Sequence, residues 1–355
     1  MTKYIYIIGL LTLFLIAPSQ AEAGNPDRQG QAGAAQLLLN PWARSAGLHT
    51  MNTANISGVE AMRLNVAGLS RTKKTEILVS HARYFEGSDT NMNAVGLAQR
   101  VGKGGTFGVS LMAVDVGNIR ETTEDQPEGT GANFSPSIFN LGIGYAHMFE
   151  NKVSVGITLR LISEGTNDVD AAGLAIDAGV QYVTGPQDNF KFGISLRNIG
   201  SPMKFSGEGL SQQADNPNDG TFPLTFFTRS QRFELPSTLN IGASYDFILN
   251  PKNKLTVVGN FTSNSFSEDQ IGGGVEYAFN NMFMLRGGYK YELNTSDEDN
   301  GDPIGDSVYT GVSAGVSIEV PVSKEEGGSR FGIDYAYRHT RILNGTHNIT
   351  LRITL

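Results

Sequence analysis

The chain has 355 residues, a formal net charge of −8, a mean hydropathy of −0.18 and no cysteine. Its acidic balance argues against nucleic acid, which selects basic faces, and the absence of cysteine excludes a disulfide framework or a lipoprotein anchor on Cys. Near-neutral hydropathy does not by itself mean a water-soluble protein, because a membrane barrel turns half of every strand toward a polar lumen.

The first element reads as a targeting segment. Lys3 precedes an apolar run from Tyr4 to Ala17, followed by Pro18 and the triplet Ala21-Glu22-Ala23. A charged start, a short apolar stretch and an A-x-A site predict a signal peptide over 1–23, a mature start at Gly24, and export. The run is too short to cross a bilayer as a helix, and no later stretch reaches the eighteen to twenty apolar residues that would be needed. Residues 24–74 follow without strand-like alternation.

From residue 75 onward the pattern changes to a period of two, the signature of strands whose alternate side chains face different environments. Segments such as Val153-Ser-Val-Gly-Ile-Thr-Leu-Arg-Leu161 and His347-Asn-Ile-Thr-Leu-Arg-Ile-Thr-Leu355 are longer than the five or six residues usual in soluble sheets. They match the nine to eleven residues of a tilted strand in a bilayer. The predicted strands are 75–85, 92–101, 104–116, 137–149, 153–163, 171–184, 190–199, 236–248, 254–263, 269–279, 282–293, 309–320, 329–340 and 345–355. The fold class is therefore all-β: a closed antiparallel transmembrane β-barrel of about fourteen strands over 75–355.

Two internal tests support this reading. Arg160, Asp177, Lys191, Arg197, Asp246, Glu276, Arg286, Lys290, Glu319, Asp334, Arg338 and Arg352 all stand in the phase opposite the apolar set of their strands. A barrel needs that, since Arg or Lys facing lipid at mid-bilayer costs about 2–4 kcal/mol. The early strands are less clean. Thr75–Phe85 can be phased either way, and Asp115 shares a phase with Phe107, Val109 and Leu111, so Asp115 lies beyond the membrane or a bulge resets the phase. The second test is parity: every second connection is short, whereas Gly117–Pro136, Gly200–Leu235 and Asn294–Val308 are long. Short periplasmic turns alternating with longer outer loops fit an outer-membrane barrel, and an even strand number puts both chain ends in the periplasm.

Enzyme chemistry is nearly absent, and the chain is read as a non-enzyme without cofactor or metal. Gly311-Val312-Ser313-Ala314-Gly315 matches a nucleophile elbow in letters, but lies mid-strand where that motif requires a strand–turn–helix setting. His49, His81, His147, His339 and His347 show no metal-ligand spacing. His147, His339 and His347 fall near strand ends on the outward face. The acidic run Asp297–Asp302 with Asp306 puts Val308 where a calcium loop needs its last carboxylate, so it reads as a solvated outer loop. The loop Gly200–Leu235 differs in kind. It carries Phe222, Leu224, Phe226 and Phe227 beside Arg229 and Arg232, the composition of a protein-binding hot spot. The same aromatics can equally fold back over the barrel mouth.

The segment Leu38-Leu39-Asn40-Pro41-Trp42-Ala43-Arg44-Ser45-Ala46-Gly47 resembles the opening of the PorV/PorQ family. Asn65-Val66-Ala67-Gly68-Leu69 is similar to the Asn-Pro-Ala-Gly-Leu element of that family and of the wider fatty-acid-transporter-like barrels, with Val66 in place of the usual Pro. Leu196–Phe205 and Leu235–Tyr245 resemble the segments flanking the family's long central loop.

The resemblance implies a fourteen-stranded outer-membrane barrel whose residues 24–74 form a plug in the lumen. Trp42, Arg44 and Asn65 are the candidate plug–lumen contacts, and Arg44 has inward carboxylates such as Asp177 or Glu276 in reach. A flexible periplasmic tail is the alternative. The resemblance further implies a component of the type IX protein secretion system. Its partners would be the secretion translocon and secreted cargo, bound through outer loops and shuttled to surface attachment, with outer-membrane lipid around the barrel. A fatty-acid-transporter-like channel for hydrophobic small molecules is the second expectation and a diffusion porin the third. The polar inward set counts against a greasy tunnel.

Overall fold

The computed structural model describes residues 28–123, 125–166, 168–215, 222–293, 308, 310–323, 328–340 and 343–355. The proposed signal peptide and the acidic run 297–306 lie outside the described residues.

Alternation along each strand becomes a wall with two faces. The strands are β1 (Thr75–Tyr84), β2 (Thr90–Val101), β3 (Gly105–Asp115), β4 (Ile119–Arg120), β5 (Asn133–Phe134), β6 (Ser137–Phe149), β7 (Val153–Thr166), β8 (Val169–Thr184) and β9 (Phe190–Gly200). They continue as β10 (Ser211–Ala214), β11 (Leu224–Phe227), β12 (Thr238–Asn250), β13 (Asn253–Asn264), β14 (Gln270–Phe279), β15 (Phe283–Glu292), β16 (Gly311–Pro321), β17 (Arg330–Arg338) and β18 (Thr346–Thr354). Fourteen of them close into one antiparallel barrel, sealed where β1 pairs with β18, with Val79 opposite Leu351. Two small hairpins, β4–β5 and β10–β11, stand outside that wall in the long connections after β3 and β9.

Every strand expected from periodicity is present, with its ends shifted by at most three residues. The charge test also holds: Arg160, Asp177, Arg197, Asp246, Arg286, Asp334, Arg338 and Arg352 are all buried on the inner face. Asp115 needs no bulge. The β2–β3 register runs unbroken from Asn91–Asp115 to Val101–Gly105, so Asp115 is simply the last, outward residue of β3. A bulge does occur in β8–β9, between Ile176 and Ala178, where Asn198 has φ of 59° and both Arg197 and Asn198 are buried.

Residues 33–72 run inside the wall as short turns of helix, among them Ala43–Gly47, Ala61–Leu64 and the 3₁₀ turn Val66–Arg71. Their apolar side chains meet an unusual inner surface. Trp42, Ile56, Val59, Met62, Leu64 and Leu69 pack with Leu78, Ala82, Met92, Ala94, Ala98 and Met112 on the inner faces of β1–β3. Burying each large side chain contributes roughly 1.5–3 kcal/mol, so this cluster anchors the segment. It also explains why β1 admits either phase in sequence: its inner face is apolar too.

Glycine makes the close approach possible. A Cβ on Gly156 of β7 would sit 2.8 Å from the backbone of Val66, and one on Gly315 of β16 would sit 3.0 Å from Cα of Gly47. The Gly-x-Ser-x-Gly stretch thus lies against the inner segment, with the Ser313 hydroxyl donating to the Gly47 carbonyl at 3.1 Å.

The direction of the segment departs from expectation. β1 and β18 do start and end at the short-turn end, Leu355 N–H donating to the Thr75 carbonyl at 2.8 Å. Arg28, however, lies at the long-loop end, 2.8 Å from Glu234 and 4.3 Å from the centre of the Phe266 ring. Strand parity fixes where β1 begins; it says nothing about the non-strand residues before it, which here traverse the lumen.

Candidate functional site

Polar groups tie the inner segment to the wall. Trp42 is 2 % exposed, and its backbone N–H donates to Asn40 Oδ1 at 3.3 Å just ahead of the Ala43–Gly47 turn. The Ala43 N–H donates to Thr350 Oγ1 at 3.0 Å, and Asn348 Nδ2 donates to the Pro41 carbonyl at 2.8 Å. Asn65 works in both directions. Its Oδ1 caps the next turn by accepting from the Ala67 N–H at 3.2 Å, while Nδ2 donates to the carbonyls of Thr53 (3.0 Å) and Val180 (3.1 Å). Asn65 thus reaches the wall at Val180, and Trp42 packs in the apolar cluster on the inner faces of β1–β3.

Arg44 is half-buried in the field of Glu60, Glu276, Asp334 and Glu76. Of its two anticipated partners Glu276 is the near one, although Glu276 pairs directly with Arg286. Asp177 is engaged elsewhere: Arg160 Nη2 lies 2.5 Å from it, and the same nitrogen donates to the Met62 carbonyl at 2.9 Å.

Three features escaped sequence reasoning. Buried Arg63 donates through Nε to the Leu39 carbonyl at 2.7 Å and through Nη2 to that of Gln36. Buried Glu60 accepts the Ser45 N–H at 3.1 Å. Arg63 lies in the one-turn helix Ala61–Leu64 and Glu60 just before it, too short a stretch to carry a periodic signal, and only the density of small residues around them hinted at a packed interior. The third is a cavity of about 830 Å³ near the long-loop end. Its β1–β6 side is apolar, with Tyr84, Phe85, Val114 and Ile138; its β9–β15 side carries Arg197, Asn240, Gln270 and Lys290.

The long connection after β9 divides into two parts. Its base folds back: Met203 and Phe233 form an antiparallel bridge, the Phe205 and Phe233 rings lie 5.4 Å apart, and Met203 and Leu235 are buried with Leu37. Its tip does not. Phe222 is 61 % exposed, Phe226 47 % and Phe227 64 %, and Arg229 and Arg232 are exposed beside them, with Leu224 half-buried on the same strand. The base of the loop folds back toward the barrel, whereas the aromatics of its tip stay exposed. Of the six candidate residues, Leu224, Phe226 and Phe227 lie on β11, and Phe222, Arg229 and Arg232 flank it.

Comparison with known proteins now has a geometry to rest on. The sequence profile described as "Type IX secretion system membrane protein PorP/SprF" matches residues 91–353, well over half of the chain. The chain belongs to the PorP/SprF family. This PorP/SprF barrel is accordingly an outer-membrane protein of the type IX secretion class. The motifs at 38–47 and 65–69 that resemble PorV/PorQ lie outside the matched region. No curated protein matches the sequence.

Among solved structures, the toluene transporter TodX of Pseudomonas putida is similar over 89 % of this chain and 97 % of its own, at 13 % identity and a TM-score of 0.54. The toluene transporter TbuX of Ralstonia pickettii is similar over 89 % and 98 %, at 12 % identity and 0.55. A FadL homologue of Pseudomonas aeruginosa is similar over 88 % and 96 %, at 10 % identity and 0.50. At these identities the likeness concerns the barrel fold alone.

Proposed function

We propose that this PorP/SprF barrel binds secreted cargo and translocon partners through its outer loops and shuttles them to surface attachment. The loop after β9 is the principal contact, and residues 33–72 close the lumen as a plug. The observation that carries this reading is the division of that loop. A base stapled by Met203, Phe205 and Phe233 holds up a tip on which three phenylalanines and two arginines face solvent. Keeping such aromatics in water is unfavourable unless a partner covers them, and rigid presentation lowers the entropic cost of binding. The test is recovery of secretion components from outer membranes with the parent chain and with a Phe226→Ala/Phe227→Ala/Arg229→Ala variant. At least tenfold lower recovery with an unchanged barrel supports the assignment; equal recovery overturns it.

A second reading, uptake of hydrophobic small molecules, draws on the 830 Å³ cavity with its apolar β1–β6 side. Against it stand Arg160, Asp177, Met62 and Trp42, all buried in the interior, which supports a closed lumen rather than a continuous channel. Single-channel recording separates the readings. The plug predicts no conductance in the parent and an open pore once residues 28–70 are deleted, whereas a channel conducts or transports with the segment in place.

A further inference from the structure

The outer wall is not uniform. On β7 the outward residues from Val153 to Leu161 give five successive apolar rows, and on β16 those from Val312 to Val320 give five more. β1 has two, Ile77 and Val79, and β2 has two in succession, Val95 and Leu97. Each row rises about 6.7 Å along a strand tilted 35–45°, or roughly 5 Å across the membrane. Five rows give roughly 25 Å, the height of a bilayer-facing band, and two give about 10 Å.

Polar residues take over directly above and below this strip. His81 and Asn93 point outward and hydrogen-bond at 2.9 Å, with Arg83 and Asn91 in the next row. The Arg83 side chain makes no hydrogen bond or ion pair among the described residues. Below, Lys73, Lys74 and Lys103 are exposed on the short-turn rim, and Arg100 links them by donating to the carbonyls of Lys74 (2.8 Å) and Lys103 (3.0 Å). Among the described residues no Asp or Glu side chain is exposed on that rim of β1–β3, Glu76 of β1 being buried on the inner face, in a protein whose net charge is −8. A hollow of about 380 Å³ dents the strip itself, lined by Val79, Asn93, Val95, Leu111, Ala113 and Leu351.

We infer that the β1–β2 sector of the outer wall docks a different membrane-embedded protein, one that fills the hollow with an apolar side chain and sets carboxylates against the Lys73–Lys74–Arg100–Lys103 rim. Lipid is a poor occupant, because a bilayer thinned to about 10 Å, or His and Arg left in hydrocarbon, costs several kcal/mol. A second copy is a poor occupant as well. A two-fold interface through this patch about an axis along the membrane normal sets each level against itself, and so cation against cation. Carboxylates on a different partner complement the rim.

The test is photo-crosslinking in native outer membranes with benzoylphenylalanine placed at Val79 or Val95, and at Ile157 or Ile194 as bilayer-facing controls. The inference expects an adduct with one other protein from 79 and 95 only. Its yield should fall at least tenfold in a Lys73→Glu/Lys74→Glu/Lys103→Glu variant that still shows the heat-modifiable mobility of a folded barrel. Lipid adducts alone at all four positions, an adduct of twice the chain's mass, or a yield indifferent to charge reversal would each overturn it. The loop substitutions that test cargo binding leave this adduct intact, so the two proposals fail separately.

Discussion

Removing the Arg160 guanidinium is the sharpest test of how the inner segment is held. In Arg160→Met, Asp177 stays buried without its ion-pair partner, held by the Asn198 N–H at 2.7 Å and by the more distant charge of Arg197. The Met62 carbonyl and Asn140 Oδ1, bonded to Arg160 at 2.9 and 3.0 Å, lose their donor. Breaking one side of a buried pair costs about 3–5 kcal/mol, more than a hundredfold in the folded-to-unfolded ratio. The assay is built into the chain, because its single tryptophan, Trp42, is buried in the same segment. Urea titration in micelles, followed by Trp42 emission, should show an earlier transition for Arg160→Met. In Arg160→Met/Asp177→Asn the loss should be smaller than the sum of the two single effects, as expected for directly coupled groups. A cost below about 1 kcal/mol for Arg160→Met, or strict additivity in the cycle, would refute the view that this pair locks the segment to the wall.

Three further outcomes follow from the same contacts. Gly156→Val places a side chain against the Val66 backbone and should red-shift Trp42 emission and expose the 60–70 region to protease, while the barrel keeps its heat-modifiable mobility. Asn65→Ala removes three hydrogen bonds of the segment and should lower stability by about 1–3 kcal/mol in the same titration. The absence of native cysteine permits a topology test: Arg28→Cys should react with an impermeant maleimide on whole cells and Lys103→Cys should not. The reverse pattern would invert the barrel in the membrane.

Barrel architecture was legible because the bilayer enforces a two-state rule on every strand, and a strand such as Val153–Leu161 states it without ambiguity. β1 did not, for a physical reason: its inner residues Leu78 and Ala82 face the apolar side of the inner segment, while its outer residues His81 and Arg83 are polar. A period of two reports a difference between faces, never which face is which. The route of residues 33–72 was also hidden, since contacts such as Ala43 with Thr350 join positions at opposite ends of the chain. Exposed aromatics in the loop after β9 could be picked out by composition, but dividing them into a folded base and a free tip required knowing that Phe233 meets Phe205.

The clasp between the first and last parts of the chain has a bearing on biogenesis. Pro41 and Ala43 are gripped by Asn348 and Thr350 of β18, the same strand that seals the wall against β1. One strand thus holds both the inner segment and the seam, so closing the wall and seating residues 41–43 are physically coupled.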